Sequence, residues 1–176
     1  MDLKELISRC VRGDRDGHKL LFERFVTSMA RLCMRYIKDH DDAQDVMMDG
    51  FMKVFDHLQN FVWQGDGALE SWMRKIMINE CLIKLRKDRS RFFMDVTDHD
   101  SETHESGEGD MAAEEIMELI NSLPTGYRTV FNLFAIDGYS HKEIATMLDI
   151  SESASRSQLT HARSKLKELL TKYGWK

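Results

Sequence analysis

The chain has 176 residues, 42% of them hydrophobic and 31% charged, with one proline, ten glycines and a formal net charge of -5. That length allows one or two small domains with real cores. The three cysteines stand singly without ligand spacing, which argues against structural zinc and fits a reducing compartment. No phosphate-cradling glycine loop and no nucleophile–base arrangement is visible, so an enzyme is the weakest reading. The start, MDLKELISRC, has no long apolar run, and nothing approaches membrane-span length. The expectation is therefore a cytoplasmic protein without membrane insertion. Clean two-residue alternation is scarce, so the chain should be all-α.

A short helix is expected from about Asp2 to Val11, ending near Gly13. A longer one should cover Asp16 to Ile37, with Leu20, Leu21, Phe25, Met29, Leu32 and Tyr36 at helical steps. Asp41 or Asp42 can cap the next, DDAQDVMMDGFMKVFDHL. There Ala43, Val46, Met47, Gly50, Phe51, Val54 and Leu58 form one apolar face. At one hundred degrees per residue, Asp45, Met48, Asp49, Met52 and Asp56 gather on the other side. Methionine is a soft contact residue, and apolar groups inside a charged rim suit a protein partner. Equally, the methionines could pack under a neighbouring segment.

Gln59 to Leu69 reads as a loop punctuated by Gly65-Asp66-Gly67, with Phe61 and Trp63 just before. Glu70 to Lys87 is helical and apolar nearly all round, ending in Lys84, Arg86, Lys87, Arg89 and Arg91. Rings in a loop beside a basic helix end are what a single nucleic-acid strand needs. Trp72 is expected in the core with Ile76 and Ile83; Phe61 and Trp63 serve either stacking or loop anchoring.

From Phe92 through Tyr127 there is no lysine or arginine, and the rest of the chain is net basic. Charge distribution, not the sum, decides whether a polyanion can bind. Residues 91–110, with DHDSETHESGEGD, read as an acidic flexible linker. About twenty residues reach roughly 66–72 Å extended and average nearer 25 Å as a coil. The linker's acids either fold back on the Lys84–Arg91 patch or form a solvated spacer.

The second half opens with a helix from Met111 to Ser122, striped by Ile116, Leu119 and Ile120 ahead of Leu123. Pro124 breaks it, and Thr125 to Ile136 comes next, ending at the Asp137-Gly138 turn. SHKEIATMLDISESASRSQLTHARSKLKELL then reads as a helix-turn-helix. Ser140 and Glu143 form a capping box, and Asp149-Ile150-Ser151 makes the break, with Ser151 capping the second helix. Leu159, Ala162 and Leu166 should face inward, while Ser153, Ser157, Thr160, His161 and Ser164 face out, flanked by Arg156 and Arg163. Such a helix suits the major groove; a plain helical hairpin explains the leucines but not the short polar outer face.

The order of these features resembles the extracytoplasmic-function (ECF) branch of the bacterial sigma-70 family. LPTGYRTVFNLFAIDGYSHKEIATMLDISESASRSQLTHARSKLKELL is similar to the family's region four. HDDAQDVMMDGFMKVF resembles region two's polymerase-binding helix, and WMRKIMINECLIKLRK resembles the helix near the melted promoter strand. The resemblance implies two helical domains, a region 2 bundle at 1–90 and a region 4 helix-turn-helix domain at 111–176, joined by the linker at 91–110. It implies a transcription initiation factor that binds core RNA polymerase, directs it to promoters and assists melting, with no chemical step and no cofactor. Asp45, Met48, Asp49 and Met52 would meet the polymerase clamp helices, and region four would meet the flap. Ser153, Arg156, Ser157, Thr160, His161 and Arg163 would bind the -35 element. Trp63, Gln64, Asp66, Asn79, Arg86 and Lys87 would bind the -10 element, where the Trp63–Leu69 loop receives an unstacked base.

The family often has Gln where Met48 stands, frequently Thr-Val where Ala154-Ser155 stands, and an arginine at the His161 position. It also usually has an anti-sigma inhibitor. The alternative function is a helix-turn-helix regulator that never acts as a polymerase subunit; the Asp45/Met48/Asp49/Met52 surface discriminates against it.

Overall fold

The computed structural model describes residues 2–87 and 113–173, apart from the side chain of Asp66. The linker 91–110 and the cations Arg89 and Arg91 lie outside them. Among the described residues the regular structure is helical, without strands. The chain divides into two compact units, Met1–Lys84 and Leu85–Lys176.

In the first unit, α1 (Leu3–Val11) is capped by Asp2, and α2 (Arg15–Tyr36) by Asp14. The turn between them needs a residue at positive φ, which Gly13 supplies at 80°. Asp14 accepts from the backbone of Asp16 and Gly17 and also from Arg9 Nε at 2.6 Å. One carboxylate thus closes the helix start and ties it to α1. Hydrogen bonding from Arg9 holds that carboxyl below its ordinary range. Leu21, Phe25, Met29, Leu32 and Tyr36 bury one side of α2. Leu20 does not join them; it is exposed, because its step places it one position off the stripe.

α3 (His40–His57) is capped by Asp39, which accepts from Asp42 N at 2.9 Å, rather than by Asp41 or Asp42 themselves. Those two acids occupy its first turn instead, where the helix dipole favours them. All seven residues of its expected apolar face are buried. A 3-10 turn, Leu58–Asn60, comes after it.

α4 (Asp66–Lys87) begins four residues before the expected Glu70. The loop is correspondingly shorter, because Gly65, at a φ of 108°, already turns the chain. Leu69, Met73, Met77 and Cys81 recur every fourth residue and are fully buried. Each such side chain contributes roughly 1.5–3 kcal/mol by leaving water.

In the second unit, α5 (Ala113–Ser122) buries Leu119 and Ile120, and Leu123 joins them in the core. Ile116 is exposed, contrary to its place in the expected stripe. α6 (Thr125–Phe131) starts after Pro124 and runs into a wide π turn, Asn132–Ile136. Arg128, 1% exposed, donates through Nη1 to the carbonyls of Asn121 and Leu123, both at 3.2 Å. The C-terminal end of α5 is therefore capped by a side chain from the next helix.

Gly138 at positive φ leads into α7 (His141–Leu148), where Ser140 and Glu143 make the expected capping box. Asp149, at φ 55°, ends α7 in a left-handed conformation, and Ser151 caps α8 (Glu152–Lys172).

Candidate nucleic-acid and polymerase interfaces

Along α8, Ser155, Leu159 and Ala162 point into the core. Ser153, Arg156, Ser157, Thr160, His161 and Arg163 are all exposed. At one hundred degrees per residue the exposed set spans less than half the helix circumference, opposite the buried set. The residues nominated for duplex reading therefore form one surface.

Their geometry is more specific than the spacing foretold. Arg156 Nη2 lies 2.8 Å from Glu152 Oε2, one turn earlier. Thr160 Oγ1 donates to the Arg156 carbonyl at 3.0 Å, so outward it offers acceptor lone pairs and a methyl group. His161 stacks on Tyr127, with ring centroids 5.5 Å apart. The Arg163 guanidinium sits 5.8 Å from the centroid of Phe134. Sequence reasoning missed this second layer of Tyr127, Phe134 and His141, which braces the nominated residues from behind. The only available signal was that five rings, from Tyr127 to His141, fall within fifteen residues ahead of α8.

In the first unit, an open cleft of about 640 Å³ lies beside the start of α4. Phe61, Val62 and Gln64 line it from the loop, and Ser71, Trp72 and Lys75 from α4. Phe61 and Trp72 stand at its wall with ring centroids 5.3 Å apart and planes inclined by 47°. Trp72, expected in the core, is only half-buried there. The cleft's size falls in the range of small-molecule sites, which accommodates a nucleobase.

Of the nominated residues, Gln64 lines the cleft; Trp63 is half-buried and does not. Asn79 is exposed one turn beyond Lys75, and Arg86 and Lys87 are exposed at the end of the helix. Ser71, Lys75 and Asn79 fall within about 80° of one another around α4, so the cleft opens onto a short polar stripe. The Asp66 side chain lies outside the described residues. Lys75 and Val62 were not nominated; the four-residue step from Ser71 through Lys75 to Asn79 would have found the lysine.

On α3 of the same unit, Asp45, Met48, Asp49 and Met52 are all exposed. Met48 is 46% and Met52 64% accessible, so neither packs under a neighbouring segment of the described structure. Flexible thioethers among carboxylates are suited to a protein partner.

The Sigma-70 region 2 family model matches residues 21–91, and the Sigma-70, region 4 model matches 113–166. The chain is 30% identical over 181 residues to the RNA polymerase sigma-H factor of Pseudomonas aeruginosa, covering 95% of this chain and 93% of that protein. The chain belongs to the sigma-70 family, in its extracytoplasmic-function branch. The ECF RNA polymerase sigma-E factor of Escherichia coli is 31% identical over 172 residues, covering 90% of this sigma factor and 88% of its own length. The fold is shared with the sigma factor RpoE of Bartonella quintana, solved in complex with the anti-sigma factor NepR. That match has a TM-score of 0.53 at 22% identity and covers 87% of this chain and 96% of that one. This sigma factor is thus a transcription initiation factor for RNA polymerase, and the reading as a separate regulator is not favoured. No helix among the described residues is long and apolar enough to cross a membrane.

Proposed function

We propose a division of labour within the sigma factor. A region 2 domain at 1–90 binds core polymerase and the -10 element, a linker spans 91–110, and a region 4 domain at 111–176 reads the -35 element. Asp45, Met48, Asp49 and Met52 dock on the polymerase clamp helices; region 4 meets the flap. Phosphate contacts position the protein and base contacts specify the sequence. Arg156 and Arg163 supply cations for phosphate or a guanine edge, and Ser153, Ser157, Thr160 and His161 supply the shorter contacts.

In region 2 the cleft between Phe61 and Lys75 takes an unstacked base of the non-template strand. Gln64 and Trp63 shape the loop, Asp66 starts the helix, and Asn79, Arg86 and Lys87 track the strand. Unstacking costs a few kcal/mol per base, and stacking on protein rings returns about 1–3. One or two captures therefore offset much of that cost, with polymerase holding the strand open. The factor performs no chemical step and works in the cytoplasm beside polymerase and DNA. An anti-sigma protein, like the one bound to the Bartonella quintana relative, restrains it.

The observation that carries this reading is the sorting of α8, with every nominated residue exposed on one side and Ser155, Leu159 and Ala162 buried on the other. Run-off transcription with purified core polymerase tests it. Arg156→Ala should weaken promoter binding by about 1–3 kcal/mol if the arginine reads a base. Met52→Glu should reduce capture of core polymerase without loss of folding. Undiminished transcription by both variants would remove these residues from the interfaces.

A further inference from the structure

Ser155 is a fully buried hydroxyl on the inward side of α8. His141 Nδ1, from the first residue of α7, lies 2.9 Å from its Oγ. The same imidazole stacks on Phe134, with centroids 4.5 Å apart and planes inclined by 21°. Phe134 in turn underlies the Arg163 guanidinium. His141 therefore connects the two helices of the helix-turn-helix at a point flanked by both arginines of the reading surface.

The charged groups facing His141 from α8 are Glu152, Arg156 and Arg163. The wide turn that carries Phe134 has no ionisable side chain. On α7 itself the neighbours are Lys142 and Glu143, and the capping box holds the glutamate. Burial first, and then the Arg156 charge, pulls the imidazole below its ordinary value. In the free protein a third positive charge is disfavoured at this point. A phosphate chain brought against Arg156 and Arg163 reverses that balance, because opposite charge favours the protonated ring.

We propose that Ser155 and His141 form a proton-linked positioning pair, in which the hydroxyl fixes the imidazole between Arg156 and Arg163 and the ring takes up one solvent proton as duplex DNA docks. A hydroxyl can donate to a bare Nδ1 or accept from Nδ1–H, so the tie holds in both protonation states. Valine could do neither. Binding then gains strength at pH below the free ring's titration and loses that gain as pH rises through the bound ring's. The pair acts through the arginines, and the inference rests on the reading of α8 as the duplex-binding helix.

The test uses the full chain and a duplex of roughly one to two helical turns, enriched from a random library by the wild-type protein. Dissociation constants are measured from pH 8 to pH 5.5 for wild type, His141→Gln, Ser155→Val and Ser155→Thr. The last two are equal in volume and differ by the hydroxyl, so packing defects cancel between them. Wild type should bind roughly three- to ten-fold more tightly at the acid end than His141→Gln does, the effect of one proton coupled to a nearby opposite charge. Ser155→Thr should keep this dependence, and Ser155→Val should lose it. The His141 ring, tracked by NMR, should titrate higher in the duplex complex than in the free chain. Identical pH profiles for wild type and His141→Gln, with duplex binding intact, would overturn the pair and leave the reading helix standing. A wild-type chain that enriches no duplex at any pH would overturn both.

Discussion

Lys84 Nζ lies 2.7 Å from Asp42 Oδ1 and ties the far half of α4 to the first turn of α3 across 42 residues of sequence. A second pair, Lys53 Nζ to Glu80 Oε1 at 2.6 Å, joins the same two helices. The helix that fronts the cleft is thereby braced against the helix that carries the methionine surface. Lys84, counted by sequence among the cations at the basic end of α4, is committed to this brace.

Two lysines of α4 should therefore behave differently. Lys75→Ala should weaken binding of a single-stranded -10 oligonucleotide by the polymerase complex and lower its salt slope by about 0.7, the share of one strand phosphate. Lys84→Ala should leave that slope nearly unchanged and alter thermal stability by about 1 kcal/mol or less, because both partners are about a third exposed. Equal slopes for the two variants would remove Lys75 from the strand's path.

Gly50 marks a close approach of α3 to α4. A Cβ placed there would collide with the sulfur of Met77, which is fully buried and would have to shift. Gly50→Ala should therefore destabilise the first unit by about 1–3 kcal/mol, although alanine is the better helix former. Urea titration reads this directly; a higher midpoint would mean that Met77 repacks freely.

Arg128→Met keeps the length of the side chain but removes the donor to the Asn121 and Leu123 carbonyls. Leaving those groups unmet should cost about 1–3 kcal/mol. Unfolding of the second unit should report the loss, while the first unit's transition stays in place. An unchanged transition would show that water replaces the guanidinium.

Asp14 gives a pH dependence of definite sign. Its folded carboxyl is held below the ordinary range by Arg9 and by the backbone of Gly17 and Asp16. The resulting stability is present above the unfolded carboxyl's value, near 4, and is lost as pH falls through the lower folded value. Asp14→Ala should be less stable than wild type at pH 7, and the gap should close progressively below about pH 4. A gap that persists unchanged into strong acid would assign the loss to something other than this carboxylate.

Much of this molecule was legible in its residues, and the misses share a cause. Ser140 with Glu143 and Ser151 announce the helix-turn-helix because capping is a local matter, settled within four residues. Leu159 and Ala162 were readable as inward on α8 from spacing for the same reason, whereas Leu166, expected with them, is only half-buried and Ser155, not expected there, is fully buried. Leu20 and Ile116 were drawn into apolar stripes that the fold leaves outside, since spacing identifies a face but not how wide a face the neighbouring helices cover. Asp39 caps α3 where Asp41 and Asp42 were equally good candidates chemically; only the path of the chain leaving Ile37 distinguishes them. The cleft needed Phe61 and Trp72, eleven positions apart, to meet across a turn, and no local pattern encodes that encounter. The earlier start of α4, at Asp66, depends on a positive φ at Gly65 that the loop composition allowed without requiring.

The wide turn at Asn132–Ile136 has a consequence for chain length. Its carbonyls of Asn132 and Leu133 are met by the amides of Asp137 and Tyr139, five and six residues on. One residue fewer would rewind the segment into an ordinary helix and rotate the helix-turn-helix behind it by about 100°. Phe134 would swing out from beneath His141 and Arg163. On the proposed reading of α8, a single-codon deletion here would disable promoter choice while leaving every proposed contact residue in the gene.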